Sequence, residues 1–299
     1  MKSKKKFFHI CKPSGFELGM LIFLILLAVS FLFIVFWAMI TSFKDIFEFR
    51  NNVFGWPKQW TFDNYLHVIK NFKVGATDPQ TNIYGEVGFG MLMVNTIIYV
   101  VGCAFMTTAI PFLAAYLNAK YNYKLNKIIT GFVIIALVLP IVGAEPATVS
   151  LLRSIGLYNT RFAISLLRGS IISMYFLIMC ATFRGIPNEL SEAAEVDGAS
   201  QLRVMVQIVM PMAINIFGVV FLLQAVAYWN EYTATILYQP SYPTLAVGVF
   251  QAAHYSIRGM GYVPRRLAVC CLLMVPIFII FLIFHNKMMG NLQLGGLKE

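Results

Sequence analysis

The sequence predicts an all-α membrane protein of six transmembrane helices with both termini in the cytoplasm. Three observations predict it. The 299 residues are 59% hydrophobic and only 12% charged, against roughly 25% charged in a soluble domain, too few polar side chains to cover a water-facing surface. Six apolar runs reach the length of about 20 residues that a helix needs to cross a hydrocarbon core of about 30 Å. The Lys and Arg residues behind the net charge of +10 sit in short clusters beside those runs, as topology signals do, and not along one polar face as a nucleic-acid footprint would.

The runs lie near residues 17–41, 88–117, 127–151, 162–183, 208–228 and 266–288. The first follows Lys2, Lys4, Lys5, Lys6 and Lys12; its apolar stretch exceeds the 7 to 15 residues of a cleaved signal, so it reads as a retained anchor. Those lysines point inward, and the connector around Lys120, Lys124 and Lys127, two crossings later, is basic again. The long 42–87 segment mixes both signs of charge and falls outside by alternation. The chain reads as one unit: a basic cytoplasmic N-terminus (1–16), a six-span domain (17–288) and a cytoplasmic tail (289–299). Prolines 111, 140, 146 and 276 fall within spans, where they remove backbone donors and favour kinks. Arg168, at the outer end of the fourth span, reads as snorkelling to the interface.

Enzymatic readings have little to stand on. The five cysteines show no zinc-ligand or disulfide-framework spacing, and the four histidines form no ligand pair. No Gly-x-x-x-x-Gly-Lys-Ser/Thr phosphate loop occurs.

One cytoplasmic loop, residues 184–207, carries a message. Pro187 suits the first turn of a helix, Glu189 and Glu192 sit well near its positive end, Gly198 can take the left-handed conformation that stops it, and Ser200 can cap a second helix. Leu190, Ala193 and Ala194 form a small apolar patch beside the carboxylates, which fits close approach of a protein partner. The alternative is an amphipathic helix on the membrane surface; its four acids against Arg184 and Arg203 weigh against that.

At this loop the chain resembles the permease subunits of bacterial ATP-binding-cassette importers, whose signature is Glu-Ala-Ala, two residues, Asp-Gly-Ala, then Pro at the twentieth position. Here these are Glu192-Ala193-Ala194, Asp197-Gly198-Ala199 and Pro211. Met205 stands where Phe is common in the family and Asn215 where a second Pro is common. The likeness extends along nearly the whole chain, through Ser42-Phe43-Lys44, Trp56-Pro57, Thr61-Phe62-Asp63-Asn64-Tyr65, Asn95-Thr96, Gly156-Leu157-Tyr158-Asn159-Thr160, Trp229-Asn230-Glu231 and the tail Leu294-Gly295-Gly296-Leu297-Lys298. It points to the carbohydrate branch, similar to the smaller permease of the maltose transporter. Residues Thr77 to Asn82 look like an extension of the commonest first outer loop.

The resemblance implies a type I importer permease fold in the bacterial cytoplasmic (inner) membrane. It implies a second related permease, two ATP-binding subunits that bind the ATP, an extracytoplasmic solute-binding protein, a carbohydrate substrate and lipid contact, with no nucleic acid and no cofactor on this chain. It assigns Glu192, Ala193 and Ala194, with Ala199, to docking on the ATPase, Asp197 and Gly198 to fixing the turn, and Pro211 to setting the next helix. For the translocation path the residues nominate Asn95, Gln224, Tyr228, Trp229 and Asn230, since polar and aromatic groups in spans are costly in lipid and suit sugar rings; they can equally join helices or lie at the interface. The leading function is thus import of a carbohydrate, an oligosaccharide in the leading case, as half of the pathway. The alternatives are a polyol, a glycerol phosphate ester or an acidic oligosaccharide as solute, or an autonomous secondary transporter, for which coupling carboxylates inside the spans are missing.

Overall fold

Ser14 starts the first helix. Its hydroxyl accepts from Glu17 N at 3.3 Å while the Glu17 carboxylate accepts from Ser14 N at 2.8 Å, a reciprocal capping box. Helix α1 (Gly15–Ser42) then runs 28 residues, about 42 Å at the helical rise, with its apolar side chains exposed from Phe16 to Phe36. A face apolar all round and unburied is what lipid solvates. The computed structural model describes residues 14–78, 84–121, 123–139, 143–255, 257 and 259–292. The N-terminal lysines, Pro140, most of the Thr77–Asn82 extension and the Leu294–Lys298 tail lie outside the described residues.

After α1 the chain folds into a collar that composition alone left as a mixed-charge loop. Lys44 is fully buried, and its ammonium donates to the carbonyls of Asn52 at 2.8 Å and Val53 at 3.1 Å. Burial holds it below the ordinary lysine value, with Glu48 opposing. Asn64 donates to the carbonyls of Ser42 and Lys44, and Trp37 Nε1 to Val53 O. These bonds explain the Ser-Phe-Lys and Asp-Asn-Tyr segments as a structural clasp around α1. Helices α2 (Ile46–Asn51) and α3 (Asp63–Asn71) lead into an antiparallel hairpin, β1 (Lys73–Thr77) and β2 (Tyr84–Gly88), with Lys73 opposite Gly88 and Thr77 opposite Tyr84. Val74 and Ala76 alternate inward.

His67 on α3 is half-buried beside Arg265, and its Nδ1 has no hydrogen-bond partner. Burial first, and the Arg265 charge second, lower its pKa below the usual 6.5. The folded chain therefore binds fewer protons than the unfolded chain once pH falls below about 6.5. Stability is full above that value and is lost as pH drops through it towards the folded pKa. Thermal unfolding in detergent at pH 5 against pH 7.5 checks this: the acid sample is expected to melt lower, and His67→Gln to flatten the difference.

Helix α4 (Phe89–Lys120) is the central strut. It packs against α7 (Ala163–Leu167), α8 (Met174–Arg184), α12 (Ile214–Trp229) and α14 (Leu245–His254), burying Phe112, Ala115 and Tyr116 with Phe176, Phe183, Val204 and Val220. The expected 88–117 span coincides with it.

Two other expected spans are not continuous. The 127–151 run divides into α5 (Lys124–Val138) and α6 (Ala144–Ser154). Leu139 is extended, as a residue before proline prefers, and Gly143 is left-handed at φ 79°. The 162–183 run divides into α7 and α8, with Ser173 capping the second piece through Phe176 N.

Between these and the last helices come α9 (Glu189–Val196), α10 (Gln201–Val204), a π-helical turn (Met205–Val209) and α11 (Met210–Met212). Residues 201–212 meet α12 at 66°, just past Pro211, whose missing N–H interrupts the helical ladder. The expected fifth span thus bends at its start although Asn215 stands where a second proline is common. The chain ends through α13 (Thr233–Tyr238), α14 and α15 (Val263–Leu292). Among the described residues three helices, α1, α4 and α15, are long and apolar enough to cross a membrane alone, or four when the bent pair counts as one.

Candidate functional site

The 184–207 segment folds as a helix, a glycine turn and a second helix. Asn188, one residue after Pro187, caps α9: its carbonyl accepts from Ser191 N and Glu192 N. Pro187 therefore lies outside the first turn, a correction of one or two positions. At the other end Ala199 N reaches back to Ala194 O at 2.9 Å and Gly198 N to Glu195 O at 3.0 Å. That pair of bonds is a Schellman stop, which needs a left-handed residue; Gly198 supplies it at φ 85°. Ser200 then caps α10 through Arg203 N. The motif positions have distinct physical jobs. Ala194 and Ala199, joined by the Schellman bond, pack onto the core around Phe183 and Val204, while Glu192, Ala193, Asp197 and Gly198 are exposed. Beside them Val196 is 87% exposed and Leu202 67% exposed. The loop thus presents an outward face of carboxylates and bare aliphatic side chains.

The loop is tied to the end of α4 by residues the sequence did not single out. Lys120 Nζ donates to Ile186 O at 2.6 Å and to Asn188 Oδ1 at 2.9 Å, and Tyr121 donates to Gln201 Oε1 at 3.3 Å. Arg184 donates to Asn118 Oδ1, and Asn118 and Asn126 exchange amide-to-carbonyl bonds that hold α5 against α4. A polar pocket of about 180 Å³, lined by Tyr116, Lys120, Asn188, Glu192 and Gln201 among others, lies between strut and loop. These contacts hold the loop against the end of α4. Pro211 sits at the bend that leads into α12.

The nominated pathway residues separate. Asn95 is buried and donates to Pro243 O at 3.1 Å. Trp229 is buried and donates to Leu273 O at 2.9 Å, joining α12 to α15. Asn230 is exposed and turns back to Val226 O. Gln224 and Tyr228 are half-buried. Tyr228 and Trp229 share a cluster with Tyr99, Val100, Cys103 and Ile164, and the Tyr228 hydroxyl meets Thr107 Oγ1 at 2.8 Å. An apolar cavity of about 490 Å³ opens between α4, α12 and α15; Trp229 is the nominated residue that lines it. Arg168, read from the sequence as reaching the interface, lies over a ring of another helix. It is half-buried, with its guanidinium 5.3 Å over the Tyr228 ring.

The chain is a membrane transport component and not an enzyme, as the permeases it matches show; a central strut, broken helices and an exposed glycine-stopped loop make up its frame. The chain belongs to the family of binding-protein-dependent transport system inner membrane components, which it matches over residues 108–288, the loop included. It is 24% identical over 280 residues to the diacetylchitobiose uptake system permease protein NgcG of Streptomyces coelicolor, covering 92% of this chain and 87% of that one. It is 26% identical over 281 residues to the trehalose/maltose transport system permease protein MalG of Thermococcus litoralis, covering 92% and 94%. Among solved structures, a chain of a bacterial ABC transporter involved in import of the acidic polysaccharide alginate superposes with a TM-score of 0.72 at 19% identity, over 91% of this chain and 95% of that chain. The fold is therefore that of importer permeases, and the protein is a multi-pass inner-membrane component.

Proposed function

We propose that the chain is one of two related permeases that together import a carbohydrate, an oligosaccharide in the leading case, driven by two ATP-binding subunits and fed by an extracytoplasmic binding protein. The permeases for diacetylchitobiose and for trehalose/maltose that it resembles along nine-tenths of its length support the carbohydrate class. The observation that carries the coupling role is the exposed α9–turn–α10 unit, whose Glu192 and Ala193 face outward while Ala194 and Ala199 hold it to the core.

In this reading the chain crosses six times, with the third and fourth crossings built from the broken pairs α5 and α6, and α7 and α8. Both termini and the 184–207 loop lie in the cytoplasm, flanked by the 1–16 and 289–299 segments. Glu192, Ala193, Ala194 and Ala199 seat the loop on the ATPase, Asp197 and Gly198 fix the turn, and Pro211 aims the next helix. ATP is bound by the partner subunits and this chain holds no cofactor. Tyr228, and Gln224 one turn before it, face the sugar path, whereas Asn95, Trp229 and Asn230 shape its wall.

The test is ATP hydrolysis by the purified complex in proteoliposomes, with the cognate binding protein and a panel of neutral and acidic oligosaccharides. Stimulation by a saccharide with the binding protein present, and by none without it, is expected. Sugar uptake driven by an ion gradient in the absence of ATP sinks the proposal.

A further inference from the structure

We propose that Arg161 is a latch: in one state of the transport cycle its guanidinium leaves the Tyr242 ring, enters the cleft beside it and donates to Asn95 Oδ1 and Gln239 Oε1. The contact ties α4, the segment before α7 and the turn after α13 to one another. The inference rests on the importer reading above, which supplies the second state. Five residues line the cleft: Asn95 and Ile98 on α4, Arg161, and Gln239 and Tyr242 between α13 and α14. Asn95 is 3% exposed and Gln239 2%. Asn95 Nδ2 donates to Pro243 O at 3.1 Å and Gln239 Nε2 to Tyr242 O at 3.4 Å, and those bonds to carbonyls set which arm of each amide is the oxygen. Neither oxygen has a hydrogen-bond partner among the described residues.

Two buried acceptors without donors beside one cleft are costly. Water is no remedy, since the cleft has no room for a molecule of it. Of the lining side chains, Arg161 alone carries donors enough for two oxygens at once, in a planar fork. Its present contacts are weak. Nη2 lies 3.9 Å from the Met91 sulfur, a poor acceptor, and the guanidinium stands 4.8 Å over the Tyr242 ring. The backbone beside it is held: Asn159, left-handed at φ 60°, donates through Nδ2 to Ser241 Oγ at 2.8 Å, accepts from Ser241 N at 3.0 Å and donates its own N–H to Tyr238 O at 2.9 Å. The side chain can therefore swing while the segment that carries it keeps its register with the Tyr238–Tyr242 turn. Two unpaired oxygens and a weakly held fork at one cleft are the halves of a contact that this conformation leaves open.

The experiment is a double-mutant cycle on the whole complex, Arg161→Met with Gln239→Met, read as thermal unfolding without nucleotide and again after trapping with ATP and vanadate. In one of the two states each single variant is expected to unfold about 2–4 °C below wild type, and the double variant no lower than either. In the other state the two changes are expected to add. Arg161→Lys, which offers one ammonium to two oxygens, should recover about half of the shift. If Arg161→Met does not assemble with its partners, the cycle is run with Arg161→Lys. Additive changes in both states, or equal coupling in both, overturn the latch and leave the importer reading intact. A chain that co-purifies with no ATP-binding subunit overturns the importer reading and the latch's place in it together.

Discussion

Gly198→Val is expected to abolish sugar uptake while the protein still inserts and accumulates in the membrane. The reason lies in the backbone and not in crowding. A side chain at residue 198 would meet open space, but the turn holds φ at 85°. An L-residue there costs about 1–2 kcal/mol, and a β-branched one more. Since about 1.4 kcal/mol is a tenfold change in population, the valine chain largely leaves the Schellman geometry. The Ala199-to-Ala194 bond opens, and α9 no longer presents Glu192 at a fixed angle. Gly198→Asn, which tolerates the left-handed region, is expected to keep most of the uptake. Vesicle uptake, with pull-down of the ATP-binding subunit as a second readout, separates the two variants. Equal transport by valine and wild type would remove the turn from the mechanism.

Lys120→Met is expected to give the second largest loss, about tenfold or more in maximal uptake rate, with little change in the sugar concentration giving half-maximal rate. The methionine keeps the aliphatic stem but donates nothing to Ile186 O or Asn188 Oδ1. Bonds from a charged donor contribute about 1.5–3 kcal/mol each where buried, less here because the Asn188 contact is exposed. Without them the start of α9 is released from the end of α4, so force applied to the loop is no longer passed to the strut. Lys120→Arg should restore most of the rate. A parallel fall in maximal rate and apparent affinity would instead indicate damage to the sugar path.

These two residues show what was legible in the sequence. Gly198 and Ser200 were readable because a helix stop and a helix cap are decided within five or six residues, and the structure places both as expected. Lys120 was read as a topology signal because its partners lie 66 and 68 residues downstream. The aromatic partner of Arg168 was out of reach of a local reading for the same reason, since Tyr228 lies on α12. Hydropathy located α1, α4 and α15 within a few residues, because long uniform runs leave one reading. It passed over the separation of α5 from α6 and of α7 from α8, because a window long enough to detect a span averages over a short interruption. The collar escaped as well, since Lys44 looks like any surface lysine until two carbonyls are found around it. Among the nominated pathway residues, type alone gave no distinction between Trp229, which holds α15 through Leu273 O, and Tyr228, which faces Arg168.

The most direct test of the importer reading is to tag this chain, solubilise it gently from its native membrane and identify the co-purifying proteins by mass spectrometry. A second, related permease and an ATP-binding subunit in the same complex are expected, with the ATP-binding subunit lost from Gly198→Val. Recovery of the chain alone or as a homo-oligomer, under conditions that keep a known importer intact, would contradict a coupling role for the Glu192–Pro211 segment.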